Sequence, residues 1–261
     1  MKIKILEKND NGIRFLLEDS NPQFANALRR IATVEVPVLA IGTVDFSVND
    51  SVLYNEVIAH RLGLIPLVFD LKDFHFKEEE HEEGKTCSSC EVVFAINKKG
   101  PAMVYSKDMK SSNPDVKPLY DNIPIVELFG DQKLKLEASA SLGIGLNHAR
   151  YQAANAFYRY YPGVKVNGKI SNADEVIKSC PKNALKIEDS KASVNADCDL
   201  CRECVKVAKP EGSLEIVGDD TKFIFDIETI SGLKPEEIIL KSVDILKEKV
   251  KDFGKEIGKL K

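Results

Sequence analysis

The sequence lacks the features that would assign it to a membrane or to a nucleic-acid coat. It has no apolar run approaching the roughly 18 residues that a membrane-spanning helix needs. The opening residues, Met1-Lys2-Ile3-Lys4, lead into an alternating pattern without an apolar signal-peptide core, so we expect a cytoplasmic protein. Basic residues are not in excess, because 37 Lys and Arg stand against 41 Asp and Glu. That balance excludes a globally basic coat but not a local basic patch.

The sequence also lacks a recognisable catalytic constellation. Clustered carboxylates can hold magnesium for catalysis, but no Asp-x-Asp-x-Asp pattern is present. The fragment Gly143-Ile144-Gly145 is too common to indicate nucleotide binding without a third glycine in a strand–turn–helix unit. The acidic run from Glu78 to Glu83 is typical of an exposed loop. With 261 residues, the chain can form one large domain or two to three small ones.

The first half of the chain shows both strand and helix periodicities. Alternating apolar residues on either side of Asn9-Asp10-Asn11-Gly12 predict a β-hairpin. Pro22 then opens a helix, for which Ser20 and Asn21 are candidate caps. A second helix is predicted from about Leu53 to Leu62, with Asp50 or Ser51 as its cap and Gly63 at its end. Extended segments are predicted at 34–46, 91–96, 102–105 and 133–140.

The end of the chain predicts a strand followed by a long helix. Pro235-Glu236-Glu237 begins that helix, with acids in the first turn where the helix dipole favours them. Over about 25 residues its apolar positions recur at alternating spacings of four and three, which is typical of a packing seam: Ile239, Val243, Leu246, Val250, Phe253 and Ile257. A helix of this kind needs a packing surface, which is either the protein's own sheet or another subunit.

Four of the six cysteines fall in a segment that resembles a bacterial-type ferredoxin. The triplet Cys198-x2-Cys201-x2-Cys204 is the pattern that holds three corners of an iron–sulfur cube, and Cys180-Pro181 matches the fourth ligand. A second cluster would need cysteines at positions occupied by other residues, namely Ile170, Ala173, Val176 and Ala208. We therefore predict one [4Fe-4S] cluster held by Cys180, Cys198, Cys201 and Cys204. A four-cysteine zinc site, free thiols and a three-iron form are the alternatives.

The predicted cluster is more consistent with a structural or assembly-sensing role than with electron transfer. The segment of about 50 residues lies between two unrelated blocks, and no flavin, nicotinamide or second-cluster motif accompanies it. Metal binding would supply folding free energy to a unit too small to fold easily alone. The alternative function class is a ferredoxin-like oxidoreductase component. A free-standing DNA-binding module fits poorly with the net charge of -4.

The remaining cysteine pair, Cys87 and Cys90, lies just downstream of His75 and His81. Two cysteines and two histidines can form a tetrahedral zinc site, although this spacing matches no strong signature. A plain exposed pair and a disulfide or redox pair are the other interpretations. The two other histidines, His60 and His148, are expected to be structural.

Three further motifs resemble those of the alpha-type assembly subunits of RNA polymerase. The first is Phe24–Ile31 followed by Val34–Pro37, and the second is Leu53–Pro66. The third, Gly143–Arg150, is similar to the stretch where such chains return from an inserted domain. Together with the ferredoxin-like insertion and the final helix, they are similar to the archaeal D-type members of that family. The resemblance covers nearly the whole chain.

The resemblance implies an α+β fold with three parts. A discontinuous dimerisation domain would comprise residues 1–42, 146–163 and 218–261, with an inserted β-rich domain at 43–145 and a ferredoxin-like domain at 164–217.

The resemblance also implies a scaffold role within a nucleotidyltransferase complex. Such subunits form a heterodimer with a small alpha-like partner, subunit L, which nucleates assembly of the large catalytic subunits, with small subunits N and P attached. The chain would then contact DNA only as part of the whole complex. The implied partner interface consists of apolar residues on the first and last helices: Phe24, Leu28, Ile31, Val243, Leu246, Val250 and Phe253. Arg29 and Arg30 are candidate interface ion-pair donors, or ordinary surface charges.

Overall fold

The computed structural model describes residues 1–76, 89–188 and 191–259. The chain divides into two compact units, which comprise residues 1–9, 13–29 and 156–227, and residues 10–12, 30–155 and 228–261. These units cut across the three-part division expected from the sequence, which stays a prediction. Within the described residues, no helix is both long and apolar enough to span a membrane.

The strands, in chain order, are β1 (Lys2–Lys8), β2 (Gly12–Glu18), β3 (Val38–Asn49), β4 (Leu67–Val68), β5 (Glu91–Lys99), β6 (Ala102–Tyr105), β7 (Lys110–Ser111), β8 (Lys117–Pro118), β9 (Pro124–Leu128), β10 (Lys133–Gly143), β11 (Ala154–Val166), β12 (Leu185–Glu188), β13 (Lys191–Val194) and β14 (Leu214–Thr229). The α-helices are α1 (Pro22–Val34), α2 (Asn55–Gly63), α3 (Ala173–Lys178), α4 (Glu203–Val207) and α5 (Pro235–Lys259). Short 3-10 turns lie at Leu71–Asp73, Ser106–Asp108 and Ala149–Tyr151.

A four-stranded sheet in the order β1-β2-β14-β11 forms the framework of the first unit. β1 and β2 pair antiparallel, with Ile5 opposite Phe15, which confirms the predicted hairpin. Phe15 stacks on Phe225 of β14 with ring centroids 5.1 Å apart, and both rings are buried. Helix α1 begins at Pro22 as predicted, and Asn21 caps it by accepting a hydrogen bond from the Phe24 N–H at 2.9 Å. Phe15 and Phe225 therefore belong to the buried core of this unit.

The segment between β11 and β14 carries its own small core. α3 and the β12–β13 hairpin surround buried apolar residues together with α4 and the start of β14. The helix–turn–strand order occurs twice, first through Pro181 to β12 and then through Pro210 to β14. Cysteines are part of this core, whose buried members are Ile170, Val176, Ala184, Leu185, Cys198, Cys204, Ala208, Leu214 and Ile216.

The second unit is built on an antiparallel sheet in the order β3-β10-β5-β7. Helix α2 buries Ile58 and Leu62. The Arg61 guanidinium donates to the Ile125 carbonyl at 2.7 Å. The cap expected for α2 is wrong, because Tyr54 stands at the N-cap without a side-chain cap bond. The Ser51 hydroxyl instead donates to the Asn49 side chain at 2.6 Å.

Helix α5 closes the chain and spans the 25 residues predicted for it. At its start the Glu237 carboxylate accepts a hydrogen bond from the Lys234 N–H at 3.0 Å, which satisfies a free amide of the first turn. Ile238 and Ser242 are buried, and the Lys249 ammonium forms an ion pair with Glu35. Buried residues of α5 therefore lie in its first half, whereas the second half is largely exposed.

Candidate metal centre and partner surface

Four cysteines line one pocket in the segment between β11 and β14. Cys180 follows α3, Cys198 and Cys201 lie in the loop before α4, and Cys204 lies in α4. Cys198 and Cys204 are buried, Cys180 is half-buried and Cys201 is exposed. The structure thus brings together all four cysteines that the sequence assigned to a cluster.

The loop that carries the cysteine triplet adopts an unusual backbone. Leu200 and Arg202 both have φ of 62°, in the left-handed region that bulky residues rarely adopt. Each such residue costs of order 1–3 kcal/mol, which persists only where the surrounding structure determines it. This winding turns the three cysteines of the C-x2-C-x2-C pattern toward a common pocket.

The surroundings of the two buried cysteines disfavour their thiolate form. Burial is the main reason that the pKa of Cys198 and of Cys204 lies above the ordinary thiol value, and the charges of the other pocket cysteines raise it further. Metal ligation requires the thiolate form. Several thiolates gathered here would destabilise one another unless iron or another cation offset their charge.

The donor set consists of four thiols, the ligand type that iron–sulfur clusters use. Among the described residues, no group of three or more His, Cys, Asp or Glu side chains is arranged to hold one metal ion. Ala184, Leu185, Val194 and Ile216 form the apolar part of the pocket lining. The Ala184 N–H points at the Cys180 sulfur at 3.4 Å. Amide hydrogen bonds to sulfur are a usual feature of cluster sites.

The same pocket contains charged residues that the sequence analysis did not single out. Lys182, Asp199 and Arg202 also line it. The Asp199 carboxylate accepts a hydrogen bond from the Cys201 N–H at 3.2 Å. In the sequence, these three residues were marked only by their closeness to the cysteines. Closeness along the chain does not show which side chains line a pocket.

The predicted zinc site is only partly within the described structure. The His75 Nε2 atom lies 3.1 Å from the Cys90 sulfur, so two of the four assigned residues are in contact. His81 and Cys87 lie outside the described residues, as does the acidic run from Glu78 to Glu83. Of the histidines expected to be structural, His148 accepts a hydrogen bond from the Arg150 N–H at 3.1 Å, and His60 is exposed on α2.

The residues assigned to a partner interface differ in accessibility. Leu28 and Ile31 are enclosed by their own chain, so they support α1 from the core and do not present a surface. Phe24, Val243 and Leu246 are half-buried. Val250 and Phe253 are 64% and 69% exposed, and Ile257, one turn further along, is also exposed. Open apolar surface on α5 is therefore concentrated in its second half.

The two arginines proposed as interface ion-pair donors lie on α1. Arg30 is exposed, and the Arg29 guanidinium donates to the Asn26 side chain at 3.0 Å. Their role as ion-pair donors to a partner stays a prediction.

Comparisons with known proteins point to one family. A family model described as the RNA polymerase Rpb3/RpoA insert domain matches residues 44–157, which nearly covers the inserted domain expected at 43–145. DNA-directed RNA polymerase subunit Rpo3 of Methanosphaera stadtmanae is 40% identical over 95% of this chain and 96% of its own length. Subunit Rpo3 of Archaeoglobus fulgidus is 36% identical over 99% and 98%. That of Pyrococcus furiosus is 36% identical over 100% and 98%.

Proposed function

The chain belongs to the Rpo3 family, the alpha-like assembly subunits of archaeal DNA-directed RNA polymerase, and from this premise we propose that it is a non-catalytic scaffold that forms a heterodimer with the small alpha-like subunit L. The heterodimer would nucleate assembly of the large catalytic subunits, with subunits N and P attached. DNA contact through the whole complex and a cytoplasmic location belong to the same proposal.

The exposed apolar stripe on α5 is the observation that supports this pairing. Val250, Phe253 and Ile257 recur at spacings of three and four, so they share one helix face. All three are exposed, whereas the first half of the helix is packed. An apolar stripe that its own chain leaves open on a long helix is typical of a helix-mediated interface.

The pairing can be tested with purified components. The full chain and subunit L from the same organism would be mixed and analysed by size-exclusion chromatography with light scattering. We expect a 1:1 complex that subsequently binds the large subunits. Failure of the two chains to associate, while L still binds another alpha-like subunit as a positive control, would refute the scaffold assignment.

The second part of the proposal is that Cys180, Cys198, Cys201 and Cys204 hold one [4Fe-4S] cluster. The shared pocket and the burial of Cys198 and Cys204 support it. The cluster would supply folding free energy to the segment between β11 and β14. Cys180 and the triplet would hold it from two separate segments, with the backbone around Leu200 orienting the triplet.

Iron and sulfide analysis of anaerobically purified full chain tests the cluster. We expect about four iron atoms per chain, and loss of that iron in Cys198→Ser. Cys90→Ser is the matched control, because Cys90 lies outside the pocket, and it should retain the iron. A three-iron content would indicate a disengaged ligand, whereas zinc without sulfide or metal-free protein would refute the assignment.

For the other cysteine pair we propose a zinc site formed by His75, His81, Cys87 and Cys90. The short distance between the His75 and Cys90 side chains supports it. We expect one zinc ion per chain that is lost in Cys90→Ser and retained in Cys198→Ser. Equal zinc content in the wild type and in Cys90→Ser would refute this site.

A further inference from the structure

The outer face of β11 carries a Phe-x-Arg-x-Tyr pattern that neither the proposed cluster nor the proposed heterodimer explains. Tyr158 and Tyr160 turn toward the core, where each ring lies within about 5.5 Å of the Phe223 ring. Because side chains alternate along a strand, Phe157 and Arg159 lie on the opposite face. Phe157 is 55% exposed there.

Arg159 lacks the polar partner that its environment calls for. Its Nε atom is buried and has no hydrogen-bond partner within the described structure. A guanidinium is always charged in proteins, and a buried donor without an acceptor costs of order 1–3 kcal/mol. Two other cations of this sheet are paired with carboxylates, Arg14 with Asp226 and Lys222 with Glu18. A carboxylate is the acceptor that would satisfy the Arg159 Nε donor and also offset its charge.

β11 also lies at an edge of its sheet. β11 is the last strand in the order β1-β2-β14-β11, and it contains Pro162, a residue that sheets tolerate mainly on edge strands. An edge strand presents unpaired amide and carbonyl groups, to which an extended segment can add as a further strand. Aromatic and arginine side chains are the residue types that dominate binding energy at interfaces.

We propose that β11 binds an extended acidic segment of another polymerase subunit, which adds to the sheet edge, places a carboxylate on Arg159 and packs an apolar side chain against Phe157. This inference rests on the proposed assembly function. The partner segment is acidic because Arg159 is cationic, and it is extended because β11 is an edge strand. A nucleic-acid phosphate could accept from Arg159 but could not add to a strand edge, so a peptide carboxylate is favoured as the anion.

The partner segment can be located by photo-crosslinking. Phe157→p-benzoylphenylalanine would be incorporated into the full chain, which is then reconstituted into polymerase from separately purified subunits. We expect cross-links to one acidic stretch of one subunit, identified by mass spectrometry. Cross-links to a basic stretch or to nucleic acid, or an assembled polymerase without a cross-link at this position, would overturn the proposal.

Charge reversal tests the role of Arg159 itself. Arg159→Glu should weaken binding of the cross-linked subunit at least tenfold, and changing the cross-linked acidic residue to lysine in the partner should restore it. Lys165→Glu, an exposed position on the same strand, makes the same charge change and should have little effect. Arg159→Met shows whether the strand folds without the guanidinium.

The outcomes separate this proposal from the assembly function. If the wild-type chain binds no polymerase subunit, both fail. If the wild type assembles and Arg159→Glu assembles equally well, only the β11 proposal fails, and Arg159 then serves to protect the edge from aggregation. Weakened binding that the reversed partner charge does not restore would also overturn the direct contact.

Discussion

Truncating the exposed stripe of α5 should weaken heterodimer formation without unfolding the chain. Complete burial of a Val or Phe side chain is worth roughly 1.5–3 kcal/mol. Because Val250 and Phe253 are 64% and 69% exposed, about two thirds of that remains to be gained, roughly 1–2 kcal/mol each. After part of it is offset by ordering costs, the double variant Val250→Ala, Phe253→Ala should lose about 2–3 kcal/mol of binding free energy. That corresponds to a Kd about 30- to 150-fold weaker.

The assay is isothermal titration calorimetry of the full chain with subunit L. Leu240→Ala is the matched control, because Leu240 is 65% exposed on the same helix but lies off the stripe. Alanine is the best helix former, so far-UV circular dichroism should be unchanged in all variants. An unchanged Kd in the double variant would refute the reasoning. Equal weakening by Leu240→Ala would place the interface on another face of the helix.

Three further predictions concern stability, each measured by urea unfolding with Cm and m compared with the wild type. Phe225→Ala removes a fully buried ring from the sheet core and should cost about 3–5 kcal/mol. Gly232→Ala would place a Cβ 1.8 Å from the Leu67 carbonyl oxygen, so we expect a loss of at least about 2 kcal/mol, whereas Gly254→Ala on the exposed helix should be neutral or stabilising. Burial raises the pKa of Asp108, but hydrogen bonds led by that from Lys98 outweigh it and hold the pKa below the ordinary value. Because the pKa of Asp108 is lower in the folded chain than in the unfolded chain, its ionised carboxylate stabilises the fold above about pH 4. That contribution is lost as the pH falls further. Asp108→Asn should therefore be less stable at pH 7 and lose less on acidification, and an unchanged pH profile would contradict this assignment.

The elements that the sequence predicted well are those with strong local signals. The Asn11-Gly12 turn defines the first hairpin, and Pro22 and Pro235 mark helix starts that the structure confirms. These signals depend on backbone geometry that a few adjacent residues impose. The spacing of the four cysteines also predicted correctly that they line one pocket, whereas the cluster itself stays a proposal.

What the sequence could not predict depends on residues distant along the chain. The apolar face of α1 suggested a partner surface, yet Leu28 and Ile31 are buried within their own chain. Helix periodicity shows which residues share a face but not what covers it. Similarly, only the folded structure shows that the Nε atom of Arg159 is buried without a hydrogen-bond partner and that its strand lies at the edge of a sheet. No local pattern encodes that arrangement.

The placement of the cysteine-bearing segment has a consequence for chain-closure entropy. β11 and β14 are adjacent strands, but residues 167–213 lie between them, and the Asn167 N–H joins the Ser213 carbonyl at 2.9 Å. If that stretch were unstructured, closing it would cost about 2 kcal/mol more than closing a turn of about five residues. Folding of the segment brings its two ends together in advance. A metal bound at its cysteines would therefore also stabilise the pairing of β11 with β14.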